Sequence, residues 1–312
     1  MIVKALADNI AANIEKVIYG KDRQIRLVIA ALLSGGHMLL DDIPGTGKTS
    51  LAKALARSID GDLKRIQFTP DLLPSDITGI NYFDQKSSEF VFRRGPIFSN
   101  IIIADEINRT TPRTQSALLE AMEERQVTID GVTYKLAEPF FVIATENPIE
   151  TQGTFPLPEA QTDRFFMKLS LGYPDFGSEK AILSGYALES PLGALTPVCQ
   201  SGDIIAAQLE TRSVHVSDKV RDYIVRIVTA TRESDRVRLG VSPRGTLALM
   251  RAAQTLAAMS GRDFVLPDDV KEAAVPVLSH RIIPRSQSSM RLTDSSENII
   301  DYIIDSVAVP VD

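Results

Sequence analysis

Residues 42–49 read Asp-Ile-Pro-Gly-Thr-Gly-Lys-Thr, between a short apolar strand signal at 38–40 and a helix-forming run at 51–57. A glycine-rich turn that joins a strand to a helix is the context required of a phosphate-binding P-loop. Its glycines let the backbone curl so that successive N–H groups point at phosphate oxygens, with the helix dipole behind them. The stretch therefore predicts an α/β domain that binds nucleotide phosphates.

The residues of this loop have separate expected tasks. The predicted cofactor-binding set is Gly45, Thr46, Gly47, Lys48, Thr49 and Ser50. Lys48 is expected to reach the β and γ phosphates of ATP, and the Thr49 hydroxyl is expected to bind Mg²⁺. The full pattern begins with glycine, whereas this chain has Asp42 at that position. The loop alone leaves open a chance glycine-rich turn before a helix.

A second candidate element is the apolar run 101–104, which ends in Asp105 and Glu106. Such β-branched runs are typical of central parallel strands, and open α/β sheets bind ligands at the C-terminal ends of their strands. Asp105 would support the Mg²⁺ shell as a metal-site residue, and Glu106 would polarise the attacking water. The alternative is a strand that ends in solvated acids. The P-loop upstream favours the catalytic interpretation.

A third apolar run, 140–145, ends in Glu146, Asn147 and Pro148. The Asn147 amide can hydrogen-bond both a γ phosphate and water, so it would orient the reactants without transferring a proton. A turn residue whose conformation is set by Pro148 is the alternative. Asn147 joins Glu106 as a predicted catalytic residue.

The chain resembles the MoxR family of AAA+ ATPases. The resemblance is carried, in order, by residues 42–49, 104–109, 115–122, 144–148 and 152–165, of which the last stretch is the most specific. It extends from about residue 8 to about residue 285. It implies an α/β fold, a P-loop AAA+ doubly wound parallel sheet with inserted β-hairpins, followed by a smaller all-helical lid domain.

The resemblance also assigns roles to single residues. It implies that Asn147 is the sensor 1 residue, that Arg164 is an arginine finger for a neighbouring subunit, and that Arg244 is a sensor 2 arginine on the lid. A surface arginine at a helix N-terminus is the alternative for Arg244. Tyr19 and Gly20 resemble the family's adenine-contacting turn, and a plain helix C-cap is the alternative for them.

Alternating helix and strand signals occupy the first half of the chain. Helices are predicted at 3–17 and 22–34, and strands near 37–40, 63–68, 101–105, 140–145 and 165–170. Two β-hairpins are predicted as well, one across the polar turn at 84–88 and one around Asp130 and Gly131. The resemblance implies that both hairpins face the pore of a ring. Hairpins that cover a sheet edge are the alternative.

From about residue 173 onward only helices are predicted. They are a short helix near 179–187, a helix capped by Ser217, one near 244–260, one opened by Pro267 and a weaker one near 293–307. Proline and glycine interrupt the stretch between the first two. The predicted domains are an AAA+ nucleotide-binding domain at 1–185, a linker at 186–212 and a helical lid at 213–312.

Composition narrows the class of protein. The 312 residues are 44% hydrophobic, enough for two cores, and neither a membrane span nor an export leader is predicted. The single cysteine, Cys199, allows no internal disulfide and indicates a reducing, cytoplasmic location. Three histidines lack metal-ligand spacing. A net charge of −6, from 34 basic and 40 acidic residues, argues against a general nucleic-acid binder.

These patterns predict an ATPase that converts ATP and water to ADP and phosphate. The resemblance implies a chaperone-like hexameric ring that remodels or activates partner complexes, often through proteins with a von Willebrand factor A domain. A nucleic-acid-remodelling motor is one alternative, and Lys86, Arg93 and Arg94 are its only basic candidates near the first hairpin. A non-hydrolysing nucleotide-dependent scaffold is the other, against which Glu106 and Arg164 argue.

Overall fold

A five-stranded parallel sheet forms the centre of the N-terminal half. The computed structural model describes residues 2–146, 153–187, 190–285 and 295–310. The strands of this half are β1 (Met38–Asp41), β2 (Leu63–Gln67), β3 (Gly79–Asp84), β4 (Glu89–Arg94), β5 (Ile101–Asp105), β6 (Gln126–Ile129), β7 (Val132–Lys135), β8 (Phe141–Glu146) and β9 (Met167–Leu169). Five of them pair in parallel in the order β2-β5-β8-β1-β9, which confirms the predicted sheet.

The central strand β5 is buried on both faces. Ile101 and Ile103 pack into one apolar cluster, whereas Ile102 and Ala104 pack into a second cluster. This division follows from the two-residue repeat of side-chain direction in a strand. It explains why the sequence of β5 is apolar without alternation, and why polar chemistry begins only at Asp105, where the strand ends.

Helices flank the sheet and connect its strands. They are α1 (Ile2–Glu15), α2 (Asp22–Leu33), α3 (Lys48–Ser58), α4 (Pro74–Thr78), α5 (Pro112–Glu124), α6 (Glu159–Thr162) and α7 (Phe176–Gly185). The predicted helices at 3–17 and 22–34 are confirmed by α1 and α2. Helix α7 begins at Phe176, before the predicted start near 179. The reason is its N-cap, where the Asp175 carboxylate accepts a hydrogen bond from the Ser178 N–H at 2.8 Å.

The two predicted hairpins are confirmed, and they form one surface feature. β3 pairs with β4 and β6 pairs with β7, both antiparallel. The β6–β7 turn has Asp130 at φ 49° and Gly131 at φ 82°, as an Asp-Gly hairpin turn requires. Asn81 of β3 donates a hydrogen bond to the Asp130 carboxylate at 2.7 Å. Phe92 of β4 stacks on Tyr134 of β7, with ring centroids 4.5 Å apart, so the hairpins are joined by both polar and aromatic contacts.

The C-terminal part is helical, as predicted. Its helices are α8 (Ser201–Arg212), α9 (Asp218–Glu233), α10 (Pro243–Met259), α11 (Pro267–Leu278) and α12 (Ser296–Ser306). Ser217 caps α9, because its hydroxyl accepts a hydrogen bond from the Val220 N–H at 3.3 Å. The structure adds a short antiparallel pair, β10 (Val237–Leu239) with β11 (Ile283–Pro284). Strands this short and this far apart in sequence leave no local pattern.

Helix α8 lies within the stretch predicted as a linker, 186–212. It contacts α1, α2 and α10, and Gln208 donates a hydrogen bond to the Leu32 carbonyl of α2 at 2.8 Å. The division of the chain at 185 and 213 stays a prediction. None of the described helices combines the length and apolarity that crossing a bilayer requires.

Candidate functional site

The P-loop joins β1 to α3 at the C-terminal edge of the sheet. Gly45 has φ 85° and Gly47 has φ 95°, conformations that residues with a Cβ rarely adopt. Helix α3 begins directly after Gly47, so the free N–H groups of its first turn lie beside the loop. The Lys48 ammonium donates a hydrogen bond to the Asp42 carbonyl at 2.7 Å. The loop is therefore curled in the form that the sequence predicts.

P-loop residues 44, 45 and 47–50 line a cavity of about 400 Å³ together with Arg65, Gln67, Asp105 and Glu106, whereas Thr46 lines a second cavity described below. This phosphate cavity brings together Lys48, Thr49, Asp105 and Glu106, which the sequence places in one site. Among the described residues, none forms a hydrogen bond with the Thr49 hydroxyl. An Mg²⁺–nucleotide complex needs backbone N–H groups and an ammonium to bind its phosphates, and a hydroxyl and a carboxylate to bind its metal ion. Their roles stay predictions.

Thr145 fixes the two acidic residues of this cavity. Its hydroxyl donates to Asp105 Oδ1 at 2.7 Å and accepts from the Glu106 N–H at 2.9 Å. Thr145 lies in β8 and is buried, and Glu106 has the left-handed φ of 56° that few non-glycine residues adopt. The sequence analysis did not single out Thr145, although its position at the end of a buried strand was visible.

Side chains from β2 engage both acids. Arg65 Nη2 donates to Asp105 Oδ2 at 2.6 Å and to Gln67 Oε1 at 2.7 Å. Gln67 Nε2 donates to Glu106 Oε2 at 2.9 Å, and Arg109 donates to the same oxygen at 3.1 Å. The sequence analysis missed Arg65, Gln67 and Arg109. Polar residues two apart at the end of the neighbouring strand were the only available signal.

A second cavity, of about 260 Å³, lies on the other side of the P-loop. This base cavity shares Gly45 and Gly47 with the phosphate cavity, and Tyr19, Pro174 and Tyr186 form part of its wall. Its lining is more apolar, which suits a heterocyclic base. Tyr19, for which the family resemblance implies an adenine contact, lines this cavity, and that role stays a prediction.

Gly20 supports the wall of the base cavity without lining it. Its φ is 65°, and a Cβ on Gly20 would lie 1.9 Å from the Ser178 hydroxyl of α7. Only glycine allows α7 to approach the turn at Tyr19 this closely. A Cβ on Gly185 would likewise lie 2.3 Å from the Tyr19 hydroxyl.

Asn147, the predicted sensor 1 residue, lies outside the described residues. Glu146 directly before it ends β8 and pairs in register with Asp41 of β1. Burial raises the pKa of the Glu146 carboxyl, against the charge of nearby Lys168, and the charge of Asp41 raises it further. Asp41 and Lys168 form an ion pair at 2.6 Å.

Arg164 and Arg244 lie together, away from the P-loop. Arg164 Nε contacts Glu123 Oε2 at 3.1 Å, and Arg244 donates a hydrogen bond to Glu123 Oε1. They line a cavity of about 370 Å³, the arginine cavity, whose charged lining residues are Arg125, Arg164, Arg212, Arg244, Arg251, Arg281, Glu123 and Asp163. Neither Arg164 nor Arg244 is among the described residues that line the phosphate cavity. The two arginines for which the family resemblance implies separate roles therefore share one carboxylate.

The segment that carries Arg164 is fastened to the C-terminal helices. The Asp163 carboxylate accepts hydrogen bonds from Arg281 Nε at 2.7 Å and from the Ser242 hydroxyl at 3.0 Å. Arg281 also donates to the Phe165 carbonyl at 2.6 Å. Burial lowers the pKa of Arg281 to about 10, although the Asp163 charge opposes this shift. Arg164 is thus positioned by contacts from both parts of the chain.

Comparison with known proteins agrees with this geometry. Residues 37–167 match the family described as ATPase family associated with various cellular activities (AAA), and residues 229–301 match the AAA lid domain. The chain is 39% identical to Chaperone MoxR1 of Mycobacterium tuberculosis over 96% of this chain and 81% of that protein. It belongs to the MoxR family of AAA+ ATPases.

Two other proteins are similar over nearly the whole length of this MoxR-family chain. The protein YeaC of Bacillus subtilis is 51% identical over 96% of this chain and 93% of its own. A crystal structure of a Cytophaga hutchinsonii protein assigned as an ATPase has a TM-score of 0.90 and 38% identity, and covers 99% of this chain and 96% of that one. The predicted MoxR-family fold, a parallel AAA sheet followed by a helical lid, is confirmed.

Proposed function

We propose that this chain is an Mg²⁺-dependent ATPase of chaperone type, active as a ring in which the arginines of one subunit complete the site of the next. The carrying observation is the separation of two cavities. The acids and the P-loop lysine line the phosphate cavity, whereas Arg164 and Arg244 bind Glu123 in the arginine cavity. Phosphoryl transfer relies on positioning and on neutralising charge, so a site without its arginine is incomplete.

The phosphate cavity would supply the groups that bind the phosphates and the general base that orients the attacking water. Lys48 and the N–H groups at the start of α3 would hold the phosphates, while Thr49 and Asp105 would hold Mg²⁺. When bound, Mg²⁺ neutralises charge on the phosphate oxygens. Both described hydrogen bonds to the Glu106 carboxylate fall on Oε2, which leaves Oε1 to orient a water molecule. Thr145 keeps Asp105 and Glu106 at a fixed spacing while they do so.

The arginine cavity supplies the missing cations. Glu123 holds Arg164 and Arg244 side by side, half exposed, so that both could exchange Glu123 for the phosphates bound to an adjacent copy. The P-loop of the same chain lines a different cavity, which supports action on a neighbour. A closed ring repeats such a contact at every interface, and the family resemblance suggests six subunits.

The chaperone assignment comes from relatives. The similar M. tuberculosis protein is named a chaperone, and we extend that role to this chain. By family resemblance, its clients would be protein complexes reached through partners with a von Willebrand factor A domain. Pulling down such a partner with ATP-bound protein, but not with a Lys48→Ala variant, would test this part.

Mixing two inactive variants tests the shared site. An Arg164→Ala subunit keeps a sound phosphate cavity, whereas a Lys48→Ala subunit keeps a sound arginine. Mixed rings would contain interfaces that combine both sound halves, so part of the ATPase activity should return. Native mass spectrometry with ATP must first show that the variants co-assemble.

The control replaces Arg164→Ala with Arg221→Ala, which removes an exposed arginine that forms an ion pair with Asp218 of the same helix, α9. Arg221→Ala should be active alone. If mixed rings of Arg164→Ala and Lys48→Ala form and their turnover stays at background at every ratio, the arginine acts within its own chain and the proposal is wrong.

Strong stimulation of the wild type by DNA or RNA at physiological salt would instead favour a nucleic-acid motor.

A further inference from the structure

Asp42 occupies the position where the P-loop pattern has glycine, and it is almost fully buried, at 4% exposure. Its backbone is used on both sides. Its N–H donates to the Glu146 carbonyl of β8 at 3.3 Å, and its carbonyl accepts from the Lys48 ammonium at 2.7 Å. One residue thus contacts both the P-loop lysine and the strand that leads to Asn147.

The Asp42 carboxylate accepts three further hydrogen bonds, all from backbone N–H groups. Oδ1 accepts from Ile43 at 3.1 Å, and Oδ2 accepts from Leu171 at 2.7 Å and from Gly172 at 3.2 Å. A carboxylate suits this place because it accepts without donating. With glycine at position 42, the N–H of buried Leu171 would lose its acceptor, which is costly.

Leu171 and Gly172 lead directly into the wall of the base cavity. Pro174 lines that cavity, and the Tyr173 carbonyl accepts a hydrogen bond at 2.8 Å from Lys21, another lining residue. Asp175 is the N-cap of α7, which contributes Ile182 to the same wall, and Tyr186 follows the helix there. The Asp42 carboxylate therefore connects the first residue of the P-loop with the segment that bounds the base cavity.

We propose that Asp42 is a positioning residue that couples the base cavity to the phosphate cavity. The inference rests on the proposed nucleotide site. Asp42 holds the P-loop and the 171–174 segment at a fixed spacing, so that base and triphosphate of one nucleotide fit at the same time. Restoring the glycine of the general pattern should consequently weaken ATP binding instead of improving it.

The experiment compares ATP with inorganic tripolyphosphate, which lacks the base and the ribose. Dissociation constants of both, with Mg²⁺, are measured by calorimetry for the wild type, Asp42→Gly and Asp42→Asn. Asn keeps the shape but turns one acceptor oxygen into a donor. In both variants the dissociation constant for ATP should rise about tenfold or more, because buried donors lose their acceptor, while that for tripolyphosphate should change less than about twofold.

Asp41→Asn is the matched control. It removes the adjacent carboxylate, which pairs with Lys168 and lines neither the phosphate cavity nor the base cavity. Both dissociation constants should stay at the wild-type values. An equal loss of ATP and tripolyphosphate binding in the Asp42 variants would overturn the coupling, and so would ATP binding that is unchanged in Asp42→Gly. A wild type that binds neither ligand would instead refute the proposed function.

Hydrogen exchange on the wild type tests the coupling without any variant, so the result does not depend on whether a variant folds. Tripolyphosphate touches only the P-loop side, yet it should slow amide exchange in the peptide that contains residues 171–175, because Asp42 transmits the order of the loop. A peptide from α9 should not change. Unchanged exchange at 171–175, with tripolyphosphate bound, would overturn the proposal.

Discussion

The phosphate cavity and the arginine cavity contain the two sets of predicted site residues, and they are built differently. The phosphate cavity is made from strand ends and one short loop, and its acids face side chains of the next strand. The arginine cavity is made where α5, the segment before β9 and helix α10 meet. In the proposed ring, the arginine cavity of one chain would complete the phosphate cavity of its neighbour.

The two cavities also differ in the balance of their charges. In the phosphate cavity, Asp105 is paired with Arg65 and Glu106 with Arg109. In the arginine cavity, the described lining residues include six arginines and two carboxylates, so positive charge is in excess. Excess positive charge in a partly enclosed cavity attracts anions. In the proposed ring, the phosphates bound to a neighbouring subunit would balance this excess charge.

The largest effects are expected in the phosphate cavity. Lys48→Ala should lose ATP binding and turnover, because the Lys48 ammonium contributes much of the binding to the phosphates. Glu106→Gln should still bind ATP while kcat falls by about 10²–10⁴-fold, the range of a lost general base. Binding by fluorescent ATP analogue and phosphate release would separate these effects. Wild-type turnover in Glu106→Gln would remove Glu106 from the mechanism.

A smaller but still large effect is expected in the arginine cavity. Arg164→Ala should lower kcat by about 10³-fold and leave the KM for ATP within about threefold, because the phosphate cavity of the same chain is intact. Glu123→Gln should retain kcat within a few-fold, because Glu123 holds the arginines only when no phosphate does. Equal loss of kcat in both variants would show that the ion pair itself is needed, and the two cavities would then not be separate halves.

The stability of the protein should depend on pH through a buried histidine in the wall of the arginine cavity. His37 lines it, accepts the Val142 N–H at Nδ1 and donates from Nε2 to the Met122 carbonyl, both at 3.0 Å, so it must be neutral. Burial, together with the charge of Arg125, lowers the pKa of His37 well below 6.5, although the bond to the Met122 carbonyl opposes the shift. Burial similarly lowers the pKa of His280.

Because the unfolded chain binds these protons first, the free energy of unfolding should fall as pH drops below 6.5. The slope is at most about 1.4 kcal/mol per pH unit for each histidine, and His37→Gln should remove its share. Urea unfolding between pH 7 and pH 5 would measure the slope, with His215→Gln, at an exposed position, as the control. An unchanged slope in His37→Gln would contradict the assignment.

The smallest effect concerns the ion pair in the phosphate cavity. Arg65 is half exposed and pairs with Asp105 Oδ2, so it would compete with Mg²⁺ if Asp105 holds the metal as proposed. Arg65→Gln should lower the Mg²⁺ concentration for half-maximal ATPase activity by about two- to fivefold, the size expected of a partly exposed ion pair. Lys64→Gln, an exposed change on the same strand, should leave it unaltered. A higher Mg²⁺ requirement in Arg65→Gln would mean that Arg65 assists the metal site.

Local patterns determined the fold and the phosphate cavity from the sequence. The P-loop is a run of consecutive residues with a required backbone form, and the Asp130-Gly131 turn is fixed by its own φ angles. Apolar runs located β1, β5 and β8, because buried parallel strands are apolar on both faces. The edge strand β2, Leu-Lys-Arg-Ile-Gln, is mostly exposed and is not such a run. Parallel strands present their C-terminal ends at one edge, so Asp105 and Lys48 had to meet.

Contacts between residues distant in sequence were decided only by the tertiary structure. Thr145 lies 40 residues from Asp105, and Asp42 lies 129 residues from Leu171, so no pattern within either stretch shows the hydrogen bond. The pairing of Arg164 with Arg244 through Glu123 exists because the fold brings the start of α10 and the segment before β9 to the end of α5. The sequence specifies which side chains are present. Their partners depend on how the helices and strands pack, which local periodicity does not encode.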